Sequence, residues 1–114
     1  MKSSRKAFVE NLVKKAGLIP ENAILEGDRF SWEYVDPQGH TYTGGVYMYV
    51  FADKVKDGHV LRIKFSRNPV KRTFQEIKEK IQELVPEGVE VEVRNSDSPY
   101  IDMVIQLNFQ GNLW

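Results

Sequence analysis

Five basic side chains, Arg62, Lys64, Arg67, Lys71 and Arg72, fall within LRIKFSRNPVKR, residues 61–72, and that stretch holds no acid. Cations at this density suit an anion or an acidic surface, and the other chemistry-bearing residues are sparser. The chain has no cysteine, which excludes a thiolate nucleophile, a disulfide framework and a cysteine metal site. Its two histidines are His40 and His59. Each opens a strand of one antiparallel hairpin, so they are expected at opposite ends, too far apart to share a metal or a proton. No G-x-S-x-G, H-E-x-x-H, phosphate-binding glycine loop or EF-hand spacing occurs.

A metal-dependent nuclease is the enzyme class to weigh, because such cores begin α-β-β-β-α and set an acid and an E-x-K triplet on adjacent strands. VLRIKF offers Lys64 for the lysine, but Arg62 stands where the acid belongs. That removes a ligand from the oxygen-rich shell that Mg²⁺ requires. Asp53 with Asp57, and Asp97 with Asp102, are explained by turns and strand exteriors. The expectation is therefore no catalytic residue, no metal ligand and no cofactor: a protein that is not an enzyme.

The elements that must position the basic stretch follow from periodicity and punctuation. Phe8, Val9, Leu12, Val13 and Ala16 keep helical spacing after Ser3 or Ser4, with Gly17 as the stop, which predicts a helix over 4–16. Phe30, Trp32 and Tyr34 alternate with polar residues as in a half-buried strand. After the DPQG turn, TYTGGVYMYVF is a second strand, and Gly44-Gly45 suggests a bulge or bend. Val46, Met48 and Val50 face one way there, and Tyr47, Tyr49 and Phe51 the other. HVLRIKF is a third strand, Leu61, Ile63 and Phe65 inward, Arg62 and Lys64 outward. A second helix over 69–85 carries the stripe Val70, Phe74, Ile77, Ile81, Leu84 and Val85, with Asn68 as cap and Thr73–Glu76 as a rival start. VEVEVR and YIDMVIQLNF close the chain as a hairpin around SDSP.

The order α-β-β-β-α-β-β predicts an α+β domain, a mainly antiparallel five-stranded sheet with two helices on one face. The chain of 114 residues, 41% hydrophobic and 28% charged, fits a single domain over 1–114. Residues 108–114 are expected as a loosely docked tail. No apolar run approaches a membrane span and no secretory apolar region follows Met1. With the missing cysteines the expectation is a cytoplasmic protein. Net charge is +0, so bulk charge selects no partner. Its distribution is uneven, since residues 1–72 hold 13 basic and 8 acidic residues and residues 73–114 hold 3 and 8. Such asymmetry favours an anionic partner or self-association.

Three surfaces carry the functional expectations. Arg62, Lys64, Arg67, Lys71 and Arg72 form an anion or partner site at the strand-to-helix junction, where helix N–H groups add to the cations. The same cations also read as a solvated strand and helix start. Tyr47 and Tyr49 are candidate aromatic contacts, and Trp114 is a third, since Leu113 and Trp114 are costly to leave in water. The functional reading is a small regulatory or adaptor module acting through protein–protein contact, with dimerisation among its modes. The alternative is binding of single-stranded DNA or RNA, bases on tyrosine and phosphates on the cations. The low pI, about 6.7, sets the protein partner first.

Overall fold

The computed structural model describes residues 4–111, and Leu113 and Trp114 lie outside them. The elements run α1 (Ser4–Lys15), β1 (Ile24–Glu26), β2 (Arg29–Val35), β3 (Thr41–Val55), β4 (Gly58–Phe65), α2 (Phe74–Leu84), β5 (Glu90–Arg94) and β6 (Met103–Gln110). The strands form one antiparallel sheet ordered β1-β2-β3-β4-β6-β5. The α+β class and the antiparallel sheet agree with the sequence reading; the strand count is six rather than five. The missed strand, β1, spans 3 residues and buries only Leu25, too short to show a period. β6 takes in Asn108, Phe109 and Gln110.

One face of the sheet is the core face. Met48, Ile63, Phe65, Met103, Ile105 and Leu107 are buried there, and Val9, Leu12 and Val13 of α1 and Ile77 and Ile81 of α2 join the same cluster. The amphipathic stripes of both helices thus cover one side, as their spacing requires. α1 stops as predicted. Gly17, at φ 74°, takes the left-handed turn that favours glycine, and the Leu18 and Gly17 N–H groups donate to the Val13 and Lys14 carbonyls, both at 3.0 Å.

Helix α2 begins later than expected. Thr73 is its cap, and its Oγ1 accepts from the Glu76 N–H at 3.1 Å while the Thr73 N–H donates to Glu76 Oε1 at 3.0 Å. The reciprocal box satisfies two end groups at once and overrides Asn68-Pro69 as a start. Asn68 instead folds the preceding loop, accepting from the Val70 N–H and donating to the Arg72 carbonyl. Lys71 and Arg72 therefore precede the helix, and no conflict between their charge and its dipole arises. Phe74, expected in the core, is only partly buried at the helix start.

Strand β3 runs 15 residues and changes partner midway. Thr41–Tyr47 pairs with β2, and Met48–Val55 with β4. Gly44-Gly45 makes no bulge, because the register passes through both residues without a slip. Each glycine seats a large side chain from β2. A Cβ on Gly44 would overlap the Trp32 ring, and one on Gly45 would crowd the Arg29 guanidinium. Successive residues point to opposite faces, so Trp32 lies on the helix side and Arg29 on the other.

Candidate binding face

The sheet face away from the helices follows directly from the strand registers. Residues paired across strands share a face, and three rows result. Tyr49, Lys64, Val104 and Arg94 form one, and Phe51, Arg62, Gln106 and Glu92 the next. Asp53, Val60, Asn108 and Glu90 form the third. Tyr47 extends the aromatic line on β3 beyond the first row. The question of which side of β3 is buried is thereby settled: Val46 and Met48 are inside, while Tyr47 and Phe51 are 47% and 48% exposed. Among the described residues no helix packs on this face.

The side chains on it are held in pairs. The Arg29 guanidinium lies 5.9 Å from the Tyr47 ring centroid, and Lys64 Nζ 5.0 Å from that of Phe51. The Tyr47 and Tyr49 rings stand parallel within 5°, centroids 6.2 Å apart. Cations over aromatic faces are attracted by the ring quadrupole and hold both groups in place. Arg62 pairs with Asp53 at 2.6 Å, an exposed bridge of the kind worth about 0–1 kcal/mol. The electrostatics run as a gradient, with Lys64, Arg94 and Arg29 toward one end and Asp53 and Glu90 at the other.

The five cations of residues 61–72 do not form one site. Arg62 and Lys64 stand on the open face, as their alternation implies. Arg67 donates instead to the Gly45 carbonyl at 2.8 Å, beside the partner change in β3. Arg72 reaches the end of α1 and donates to the Ala16 and Gly17 carbonyls at 3.2 and 2.8 Å. Both have backbone duties, and Arg72 ties together two elements 55 residues apart. Lys71 is exposed and, among the described residues, makes no hydrogen bond or ion pair. Tyr49 is half-buried beside Tyr47, and the Trp114 expectation falls outside the described residues.

Two features escaped the sequence reading. Arg94 joins Arg62 and Lys64 around a surface recess of about 360 Å³, closed by Asn95, Ser96, Asp97, Ser98 and Val104. Its approach depends on β6 lying between β4 and β5, a pairing that no local signal encodes. The second is the ribbon of β2 and β3 past the helix layer, where Tyr34 and Tyr42 stack at 5.3 Å and stay exposed. Tyr34 was legible in the alternation of its strand, but its pairing with Tyr42 and its exposure were not.

His40 rests on Asp36 at 3.2 Å at the start of β3, whereas His59 pairs with Lys54 near its end and contacts the Gly111 carbonyl at 3.1 Å. At about 3.3 Å per residue nearly the whole strand separates them. Among the described residues no three of His, Asp and Glu gather as a metal would need, and no helix is long and apolar enough to cross a membrane. Comparison of the chain with protein-family models, with curated proteins and with solved structures gives no significant match.

Proposed function

We propose that this protein is a non-enzymatic binding module that acts by protein–protein contact, with the helix-free face of the sheet as its contact surface. The observation that carries the reading is the composition of that face. Tyr47 and Phe51 are half exposed on the helix-free face and are flanked by Arg29, Arg62 and Lys64. Tyrosine and arginine are the residue types that dominate interface hot spots. The face also carries both signs of charge in separate zones, which gives register and selectivity with a partner of complementary pattern. A regulatory or adaptor role in the cytoplasm accords with the small size and the absence of cysteine.

The test is capture of partners from the native cell by wild type and by a Tyr47→Ala, Phe51→Ala double variant, with and without nuclease treatment. A partner that survives nuclease and is lost with the double variant supports the reading. Equal capture by both proteins, with melting unchanged, would rule out this face.

A second reading is single-stranded nucleic acid on the same face. Aromatic and cationic side chains stand as neighbours in the Tyr49–Lys64 and Phe51–Arg62 pairs, the arrangement that stacks bases and neutralises phosphates. Asp53, Glu90 and Glu92 on the same face oppose a polyanion and rank this reading second. Titration with an oligonucleotide at two salt concentrations separates the two, since counterion release makes nucleic-acid binding fall steeply with salt.

A further inference from the structure

Around the recess at one corner of the open face stand Arg94, Lys64 and Arg62, with Lys64 now resting over Phe51 and Arg62 bridged to Asp53. Lys64 and Arg94 both pair with Val104, from opposite sides, so their backbones lie about two strand spacings apart, roughly 10 Å. Arg62 sits two residues from Lys64 on the same strand. Side chains of this length can meet above Val104, which is itself buried beneath them. Each guanidinium has five N–H donors. Arg62 is seen to use one on Asp53, and Arg94 one on Gln106.

Arg94 is fixed by a chain of polar contacts. Glu92 Oε2 accepts from Gln106 Nε2 at 3.2 Å and from Asn108 Nδ2 at 3.0 Å. The carboxylate needs donors, so it claims the amide nitrogen of Gln106. The amide oxygen is left facing the other way, where Arg94 Nη2 donates to it at 3.1 Å. A guanidinium held in this way loses less side-chain freedom on binding. In the segment that follows Arg94, Ser96 Oγ accepts from the Ser98 N–H, and Ser98 Oγ accepts from the Tyr100 N–H. Each hydroxyl thereby keeps its own O–H to donate.

We infer that this recess binds a single phosphate group carried by a phosphorylated side chain of a protein partner, with Arg94, Lys64 and Arg62 as the cations and Ser96 and Ser98 as neutral donors. The inference rests on the protein-contact reading and names the chemistry of one partner group. Planar guanidinium forks suit a phosphate's oxygens. The surroundings decide between one phosphate and many. Asp97 lines the recess, and Glu92 and Asp53 stand one and two rows away. Asp97 opposes any anion in the recess and is outnumbered there by three cations, whereas the next phosphates of a nucleic-acid strand would also run into Glu92 and Asp53.

The experiment is an amide NMR titration of the full chain with four probes: a short peptide bearing one phosphoserine, its unphosphorylated twin, inorganic phosphate and an oligothymidine. The expected result is saturable shifts at Lys64, Arg94, Ser96 and Ser98 with the phosphopeptide and none with its twin. Arg94→Ala should weaken that binding about tenfold or more, as loss of charge-assisted hydrogen bonds implies. Gln106→Leu, which frees Arg94 without removing it, should weaken it less, and it provides a second variant should the first fold poorly. No saturable response, an equal response from the twin, indifference to Arg94→Ala, or tighter binding of oligothymidine would each overturn the inference. Phosphatase treatment of the native extract separates it from the parent reading. A partner captured equally before and after treatment leaves the contact face standing and removes the phosphate.

Discussion

Arg72 sits in the basic stretch and is half-buried, its charge directed at backbone. Its Nη2 donates to the Ala16 and Gly17 carbonyls, in the turn that ends α1. Removing it leaves those carbonyls short of a donor, so Arg72→Ala is expected to lower stability by about 1–3 kcal/mol. Arg72→Glu should cost more, since a carboxylate faces the same oxygens. Lys71→Glu, one residue earlier and exposed, should stay within about 0.5 kcal/mol of wild type. Denaturant melts of the three variants check the contrast. Equal effects at the two positions would show that the arginine's bonds carry no net stability. Nothing in LRIKFSRNPVKR distinguishes Arg72 from its neighbours, because its partners are distant in the chain and are backbone atoms, which any sequence supplies.

At the scale of elements, α2 shows where local chemistry decides and where it does not. Its start was legible as two rival signals, and the reciprocal Thr73–Glu76 bonds prevailed over a proline at the first turn. Ile77 and Ile81 of its stripe were legible, but the later start leaves Val70 in the preceding loop and Phe74 at the rim instead of within the core. Phe74→Ala is accordingly expected to cost about 1–2 kcal/mol, below the roughly 3–5 of a fully buried phenylalanine, as thermal or denaturant melts will show. The cap also predicts a pH dependence. The Thr73 backbone N–H holds the Glu76 carboxyl below its ordinary range, aided by the Thr73 side chain and the Arg72 charge. A carboxyl with a depressed folded-state value contributes stability above its unfolded value and loses it as pH falls through the folded one. The melting difference between wild type and Glu76→Ala should therefore be full at pH 7 and shrink as pH falls below the ordinary carboxylate range and through the depressed folded value. A gap unchanged across that range would mean the box works without its charge. β1 stayed hidden for a different reason: with one inward residue it has no period to read, and it exists because β2 offers it an edge.

For the whole molecule, the sheet's order explains both the binding face and its least protected part. The alternation of β4 was readable, so the face of Arg62 and Lys64 was too. Arg94's approach was not, because it needs β6 between β4 and β5. Beyond Phe65, β4 no longer flanks β3. The Tyr47 backbone bonds to Ser66 from that side, and alternation turns the N–H groups of Thr43 and Thr41 the same way. Among the described residues no strand lies there. Amide exchange is expected to be fast at Thr41 and Thr43 and slow at Ile63 and Ile105, which open only with the global transition. Protection at Thr43 matching that at Ile63 would mean that a second chain covers the ribbon's edge. The placing of β6 also bears on how the protein is made. It is the last of the eight elements to leave the ribosome, yet it fills the middle of the sheet. Until it arrives, β4 has a free edge and β5 has no neighbour in the sheet, while the inward faces of Leu61, Ile63 and Val91 lack the strand that completes their layer. Vectorial synthesis therefore cannot finish this core piece by piece. The nascent chain carries an unpaired, apolar strand edge until its final strand is inserted, which is the interval in which a chaperone would matter most.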